Sequence, residues 1–268
     1  MVPPGERRIF PVWCAGSNRT RLVALARGLP VLGTMSDGMN SAVAAMRAAE
    51  RQMEGVATNL ANVDVHGYKR VTTATRSFDR VLEGQRRRVI DVESQRDFSQ
   101  GSLVMTGNPM DLALHGEGFF SIETPDGEAF TRGGRFRLDE AGVLQTQEGY
   151  PVAWDGARGT IDPQGVEVEV DFQGQMWQGP TQVGRLKLVH FADVSRLSVD
   201  RGGMFRDLGG LERVPHKAEV RQATLESANS SAVDELVSLV TIQRRFEAAA
   251  KVVSMIEQSF RRLNNARA

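Results

Sequence analysis

The chain has 268 residues, 41% of them apolar, and its 33 basic side chains are matched by 33 acidic ones. That length allows a sizeable core and suggests two domains, while the charge balance argues against a polycation for nucleic acid or membrane and against an acidic tail. A lone cysteine, Cys14, excludes an intrachain disulfide and a cysteine-based metal cluster.

Residues 1–34 read as a leader apart from the fold. They hold early prolines, five arginines against one glutamate, and no apolar run long enough for a membrane span. As a signal peptide they are poor, because Arg27 follows the short apolar stretch Leu22 to Ala26 and no small-residue cleavage site follows an adequate core. Met35 reads as the natural start, with Ser36 as N-cap of a helix over 35–66. In that helix Met39, Ala42, Met46, Ala49, Met53, Val56, Leu60 and Val63 follow alternating steps of three and four. Such spacing lays one narrow apolar stripe along a helix, the seam that supercoiling helices share.

The passage Ala57 to Arg70, ATNLANVDVHGYKR, is predicted to turn the chain. Asn59 and Asn62 bond their own backbone readily, and Gly67 can take a positive φ. Residues 67–101, with Arg86, Arg87 and Arg88 in a row, are predicted as a loop or weakly ordered extended arm. From 102 to 222 short apolar runs alternate with turn signals such as Pro125-Asp126-Gly127 and Asp139 to Gly142. Spacing of this kind predicts an antiparallel sheet, sandwich or barrel. A terminal helix is expected within 223–268, where Leu239, Ile242, Phe246, Ala249, Val253, Ile256, Phe260 and Leu263 repeat the three-four alternation. Arg244, Arg245, Arg261, Arg262 and Arg267 gather toward its end, where cations complement the helix C-terminus and keep the outer face soluble.

The fold class expected is therefore α+β, with N- and C-terminal coiled-coil-forming helices flanking a central antiparallel all-β domain. Since neither stripe can be buried by its own helix, the two termini should meet each other or copies of themselves. Nothing in the pattern points to catalysis or to a cofactor. His66, His115, His190 and His216 lack metal-ligand spacing. The glycine pairs in Gly116-Glu117-Gly118 and Arg132-Gly133-Gly134 lack the strand-to-helix context of a nucleotide fingerprint. Asp126, Asp139 and Glu140 fall in turns that explain them.

Three segments carry a resemblance. MSDGMNSAVAAMRAAERQMEGVATNLANVDVHGYKR, GNPMDLALHGEGFFSIETPDGEAFTRGGRFRLDEAGVLQTQEGYPV and LESANSSAVDELVSLVTIQRRFEAAAKVVSMIEQSFRRLNNA closely resemble, in order, the bacterial flagellar rod and hook family. Gly184 to Phe205 is also similar to a strand-containing segment of that family. The resemblance implies an axial structural protein of the basal-body rod, crossing the periplasm, whose terminal helices line an inner tube around an export channel while the β domain lies outside. The implied partners are copies of itself, other rod and hook proteins and the flagellar type III export apparatus, with no nucleic acid and no direct membrane insertion. Within the family, the absence of room for the hook's additional domain and the short arm favour a proximal-rod type, with distal-rod or hook-like proteins next. Asp64-Val65-His66 and Asn229-Ser230-Ser231 depart from the family's usual stretches. Candidate subunit-interface residues are Met39, Met46, Met53, Leu60, Leu239, Ile242, Phe246, Val253, Ile256 and Phe260 from the stripes, and Asn59, Asn62, Gly67 and Tyr68 from the family turn. A reading from a different class is a secreted coiled-coil adhesin or adaptor with a β head, which a conventional signal peptide or membrane anchor would mark.

Overall fold

A computed structural model describes residues 31–82, 85–157 and 159–266. The first helix, α1, covers Val31–Ala61. A ribbon follows, made of β1 (Val71–Leu82) and β2 (Gln85–Arg96), paired antiparallel from Val71 opposite Arg96 to Leu82 opposite Gln85. The β domain then runs through β3 (Leu103–Met105), β4 (Leu112–His115), β5 (Phe119–Thr124), β6 (Gly127–Thr131), β7 (Arg137–Leu138), β8 (Leu144–Gln145), β9 (Val168–Val170), β10 (Gln175–Gln178), β11 (Thr181–Arg185) and β12 (Leu188–Phe191). It finishes with β13 (Ser198–Val199), β14 (Phe205–Arg206), β15 (Arg213–Val214), β16 (Glu219–Gln222) and β17 (Thr224–Glu226), and α2 closes the fold over Ala232–Asn265.

Among the described residues all strand pairs are antiparallel. The largest sheet has six strands in the order β13-β14-β6-β5-β12-β15, and a three-stranded sheet runs β11-β10-β9. Strand β5 lies between two apolar cores because successive side chains of a strand face opposite ways. Phe120 and Ile122 enter a core with Leu114, Phe136, Val152 and Met176. Phe119 enters a second one with Phe130, Phe191 and Phe205. The Phe119-Phe120 doublet thus serves both layers, and Phe120 meets Phe136 edge-on at 5.2 Å between ring centroids. The turn signals act as the residue types require. Gly127 closes the β5–β6 hairpin at φ 118°. Asp139 Oδ1 accepts from the amides of Ala141 and Val143.

Several sequence expectations shift. Residues 71–82 and 85–96 form a paired ribbon where a loop or weakly ordered arm was expected, since the cross-strand ladder satisfies backbone groups that composition alone leaves open. The helix begins at Val31, so Ser36 is a helical residue and not a cap. The Val166 to Val170 alternation yields strand only from Val168. Strand structure continues to Glu226, and α2 starts at Ala232 behind Ser231, which is its N-cap. Residues 1–30, the bulk of the expected leader, and Arg267 of the arginine group lie outside the described residues.

Candidate assembly surface and the neck that carries it

The helices α1 and α2 form an antiparallel pair. Near one end Asn59 Nδ2 donates to Glu235 Oε1 at 3.3 Å, along the pair Ala49, Val56 and Ile242 share an apolar cluster, and Gly38 lies beside Ile256. The two stripes face each other within one chain. Met53, Leu239 and Phe246 pack around that cluster, and Met39, Met46, Leu60, Val253, Ile256 and Phe260 are half-buried. One side of α2 is left open. Val233, Leu236, Val237 and Val240 are 68%, 48%, 62% and 50% exposed. Their spacing of i, i+3, i+4 and i+7 makes a second apolar stripe away from the first, and Val252 and Met255 are also exposed farther along. The Val233 to Val240 run shows this spacing in sequence, yet the stronger stripe beginning at Leu239 masks it. A cleft of about 380 Å³ lies beside the open stripe, with Val237 on its wall and Thr72 and Thr73 of β1 opposite.

The family-turn residues lie in a polar neck between helix pair and β domain. Asn59 is buried in the last turn of α1, where its Oδ1 accepts from Val71 N at 2.8 Å and Tyr68 Oη at 3.1 Å while Nδ2 donates to Val71 O at 2.9 Å. It joins helix to ribbon and is not itself a turn residue. Asn62 donates to Thr58 O at the helix end. Gly67 has φ 72°, and a Cβ there would lie 2.3 Å from the Arg132 carbonyl carbon, so conformation and space both demand glycine. Tyr68 is buried beneath the Arg96 guanidinium, 5.5 Å from its ring centroid.

Charges occupy the middle of the neck. Glu226, fully enclosed, accepts from Lys69 Nζ at 2.6 Å and Gly101 N at 3.0 Å on one oxygen and from Arg132 Nη1 at 3.3 Å on the other. Lys69 also donates to Ser99 O, and Arg132 to Gly116 O, both at 2.7 Å. Burial pulls the Lys69 ammonium below its ordinary value against the opposing charge of Glu226, and it lowers the Arg132 guanidinium likewise. Toward the helices, Arg70 Nε pairs with Glu235 Oε1 at 2.5 Å and Asn229 Oδ1 accepts from Arg70 N at 2.7 Å. The sequence gives only a faint signal for this cluster: a glutamate directly after the strand residue Leu225 and a lysine in the turn.

Among the described residues no group of three or more His, Cys, Asp or Glu is placed to hold a metal ion, and no helix is long and apolar enough to cross a membrane. His66 meets Arg135 at 2.9 Å, and burial together with that guanidinium lowers its pKa.

Known families match the same three regions. Residues 39–69 match a flagella basal body rod protein model, 113–177 the flagellar hook protein FlgE/F/G D1 domain, and 221–266 the flagellar basal body rod FlgEFG protein C-terminal model. The chain is 36% identical over 211 residues to the flagellar basal-body rod protein FlgF of Caulobacter vibrioides, covering 76% of this chain and 86% of that one. It is 30% identical to FlgF of Mesorhizobium japonicum, over 84% and 95% of the two chains. Against the rod protein FlgG of Buchnera aphidicola subsp. Schizaphis graminum identity is 28%, over 81% and 94%. The chain belongs to the flagellar basal-body rod protein family.

Proposed function

We propose that this chain is a structural subunit of the bacterial flagellar basal-body rod, of the FlgF type, and that it polymerises through its helix pair. The observation that carries this reading is the open stripe Val233, Leu236, Val237 and Val240 on α2. A monomer gains nothing from a second apolar face in water, whereas burying each of these half-exposed side chains against a neighbour contributes about 1–2 kcal/mol before the cost of association. Contacts of one face with a different face of the next copy repeat along an axis without closing. The higher identity to FlgF than to FlgG relatives supports the proximal-rod type over the distal one. On this reading the first stripes, Met39 to Leu60 and Leu239 to Phe260, assemble the helix pair inside each subunit, and the second stripe joins subunits into the axial tube. The partners are copies of this chain and other rod and hook proteins, delivered by the flagellar type III export apparatus. The role is structural and not enzymatic, in the basal body.

The test is a clean deletion complemented by the wild-type chain. Loss of swimming with truncated, hookless basal bodies, restored by complementation, is expected. Normal basal bodies and swimming in the deletion strain would refute the assignment.

A further inference from the structure

The helix pair and the β domain have separate apolar cores. The helical cluster of Ala49, Val56 and Ile242 shares no residue with either cluster of the β domain. The chain passes through the neck at 62–70, from α1 into the ribbon, at 97–102, from the ribbon into the β domain, and at 226–231, from the β domain to α2, and these crossings are bonded to one another in every combination. Gly67 N donates to Glu226 O at 2.7 Å, Lys69 Nζ to Ser99 O at 2.7 Å, and Gly101 N to Glu226 Oε1 at 3.0 Å. Two tiers result. Glu226, with Lys69 and Arg132, ties the crossings to the β domain, because Arg132 follows β6 and also donates to Gly116 O. Asn229 ties them toward α2: its Oδ1 accepts from Arg70 N, and its Nδ2 donates to Asp97 O at 2.8 Å and Ser99 O at 3.1 Å.

We propose that Glu226 and Asn229 form a polar latch that sets the angle between the helix pair and the β domain within each free subunit, before any neighbour is present. An apolar joint would be non-directional and could slide. Buried ion pairs add little net stability, since desolvation offsets the attraction, but their geometry is restrictive, and a partly broken set is costly. A neck made of such bonds has one permitted arrangement. Glycine at 67 and at 101, where a Cβ would lie 2.0 Å from Ser227 O, lets the crossings approach closely enough to make them. The latch makes the subunit one rigid body, and, given the rod function proposed above, a twist applied to the β domain would reach the inner helices through the chain itself.

The test uses the purified full-length chain, kept dilute, with Cys14→Ser and spin labels on cysteines replacing Arg244 of α2 and Glu140 of the β7–β8 turn, both exposed. Pulsed electron resonance should give one narrow distance distribution for this otherwise wild-type neck. With Glu226→Ala added, the single maximum should be lost, exchange protection of the Gly67 and Gly101 amides should disappear, and the β domain should still melt cooperatively. A broad distribution with the native neck, or a narrow one that survives Glu226→Ala, would overturn the latch. Should Glu226→Ala also melt the β domain, Asn229→Ala decides: broadening supports the proposal and an unchanged distribution overturns it. Because these readouts need no polymer, failure here leaves the assembly reading standing, and a swimming deletion strain would defeat that reading without touching the latch.

Discussion

The β domain and the helix pair solve the burial problem to different degrees. In the β domain Leu114, Phe120, Ile122, Val152 and Ile161 are wholly enclosed, and two layers on either side of β5 take up most of its large apolar side chains. In the helix pair the buried apolar positions are mainly small residues, Ala42, Ala48 and Ala49, with Val56 and Ile242, while α2 presents a second stripe to solvent. One region is finished within a single chain. The other is closed on one side and open on the other, which is what a subunit of an axial assembly requires of the part that meets its neighbours. The division of labour teaches that apolar periodicity in a sequence identifies a face needing a partner, without saying whether the partner lies in the same chain.

Substitutions inside the finished region should be the most damaging to the free subunit. Phe120→Ala removes a ring enclosed among Leu114, Ile122 and Phe136. It is expected to cost about 3–5 kcal/mol, the range for aromatic-to-alanine changes in rigid cores. Calorimetry should show the β-domain transition falling or vanishing, and a loss under 1 kcal/mol would mean that this core is looser than its packing indicates. Ile242→Ala should cost roughly 2 kcal/mol, the low end for such truncations, because the helical cluster is thin and can collapse around the gap. Its effect should appear as earlier loss of helical circular dichroism with the β-domain transition unmoved; equal loss in both would contradict separate cores.

A smaller effect, and one that titrates, belongs to the rim of the β domain. Burial opposes ionisation of Glu128, but hydrogen bonds from Lys187, Ser121 and Arg213, with the charge of Arg213, outweigh it and bring the carboxyl down to about 2. Its folded pKa lies below the ordinary value of 4.5, so the stability it contributes is present above pH 4.5 and is lost as pH falls from there toward 2. Glu128→Gln should therefore lower Tm at pH 7 and lose that difference as the pH approaches 2. A Tm difference independent of pH would show that the substitution acts through packing and not through charge.

Much of this contrast can be read from sequence, and the parts that cannot have physical reasons. The seam residues from Met39 to Leu60 and from Leu239 to Phe260 show themselves because helical periodicity survives any tertiary arrangement. The hairpin at Pro125-Asp126-Gly127 is visible because a glycine at positive φ is a local requirement. The ribbon of 71–82 and 85–96 escapes composition because its polar strands are ordered by a backbone ladder, to which side-chain hydropathy is blind. Glu226, Lys69 and Arg132 escape because their meeting depends on residues far apart in the chain. Asn59 misleads: its residue type suggests a turn, and the same amide that could bond its own backbone instead joins helix, ribbon and Glu235.

Val237→Asp gives the sharpest division between the two regions, because its effect on the free subunit should be the smallest of all. Val237 is 62% exposed, so a carboxylate there stays hydrated, and surface changes of this kind usually fall within about 0.5 kcal/mol. In the assembled rod the same carboxylate would be pressed into an apolar seam without a partner, where an unpaired charge costs far more than the valine contributed. The expected outcome is an unchanged Tm for the purified chain together with non-swimming cells whose basal bodies end early. A second substitution separates burial from charge: Val237→Ala keeps the seam apolar and should weaken swimming without abolishing it. Full swimming with Val237→Asp would mean that this stripe faces solvent in the rod as well, and the contact between subunits would then have to lie on another face of the helix pair.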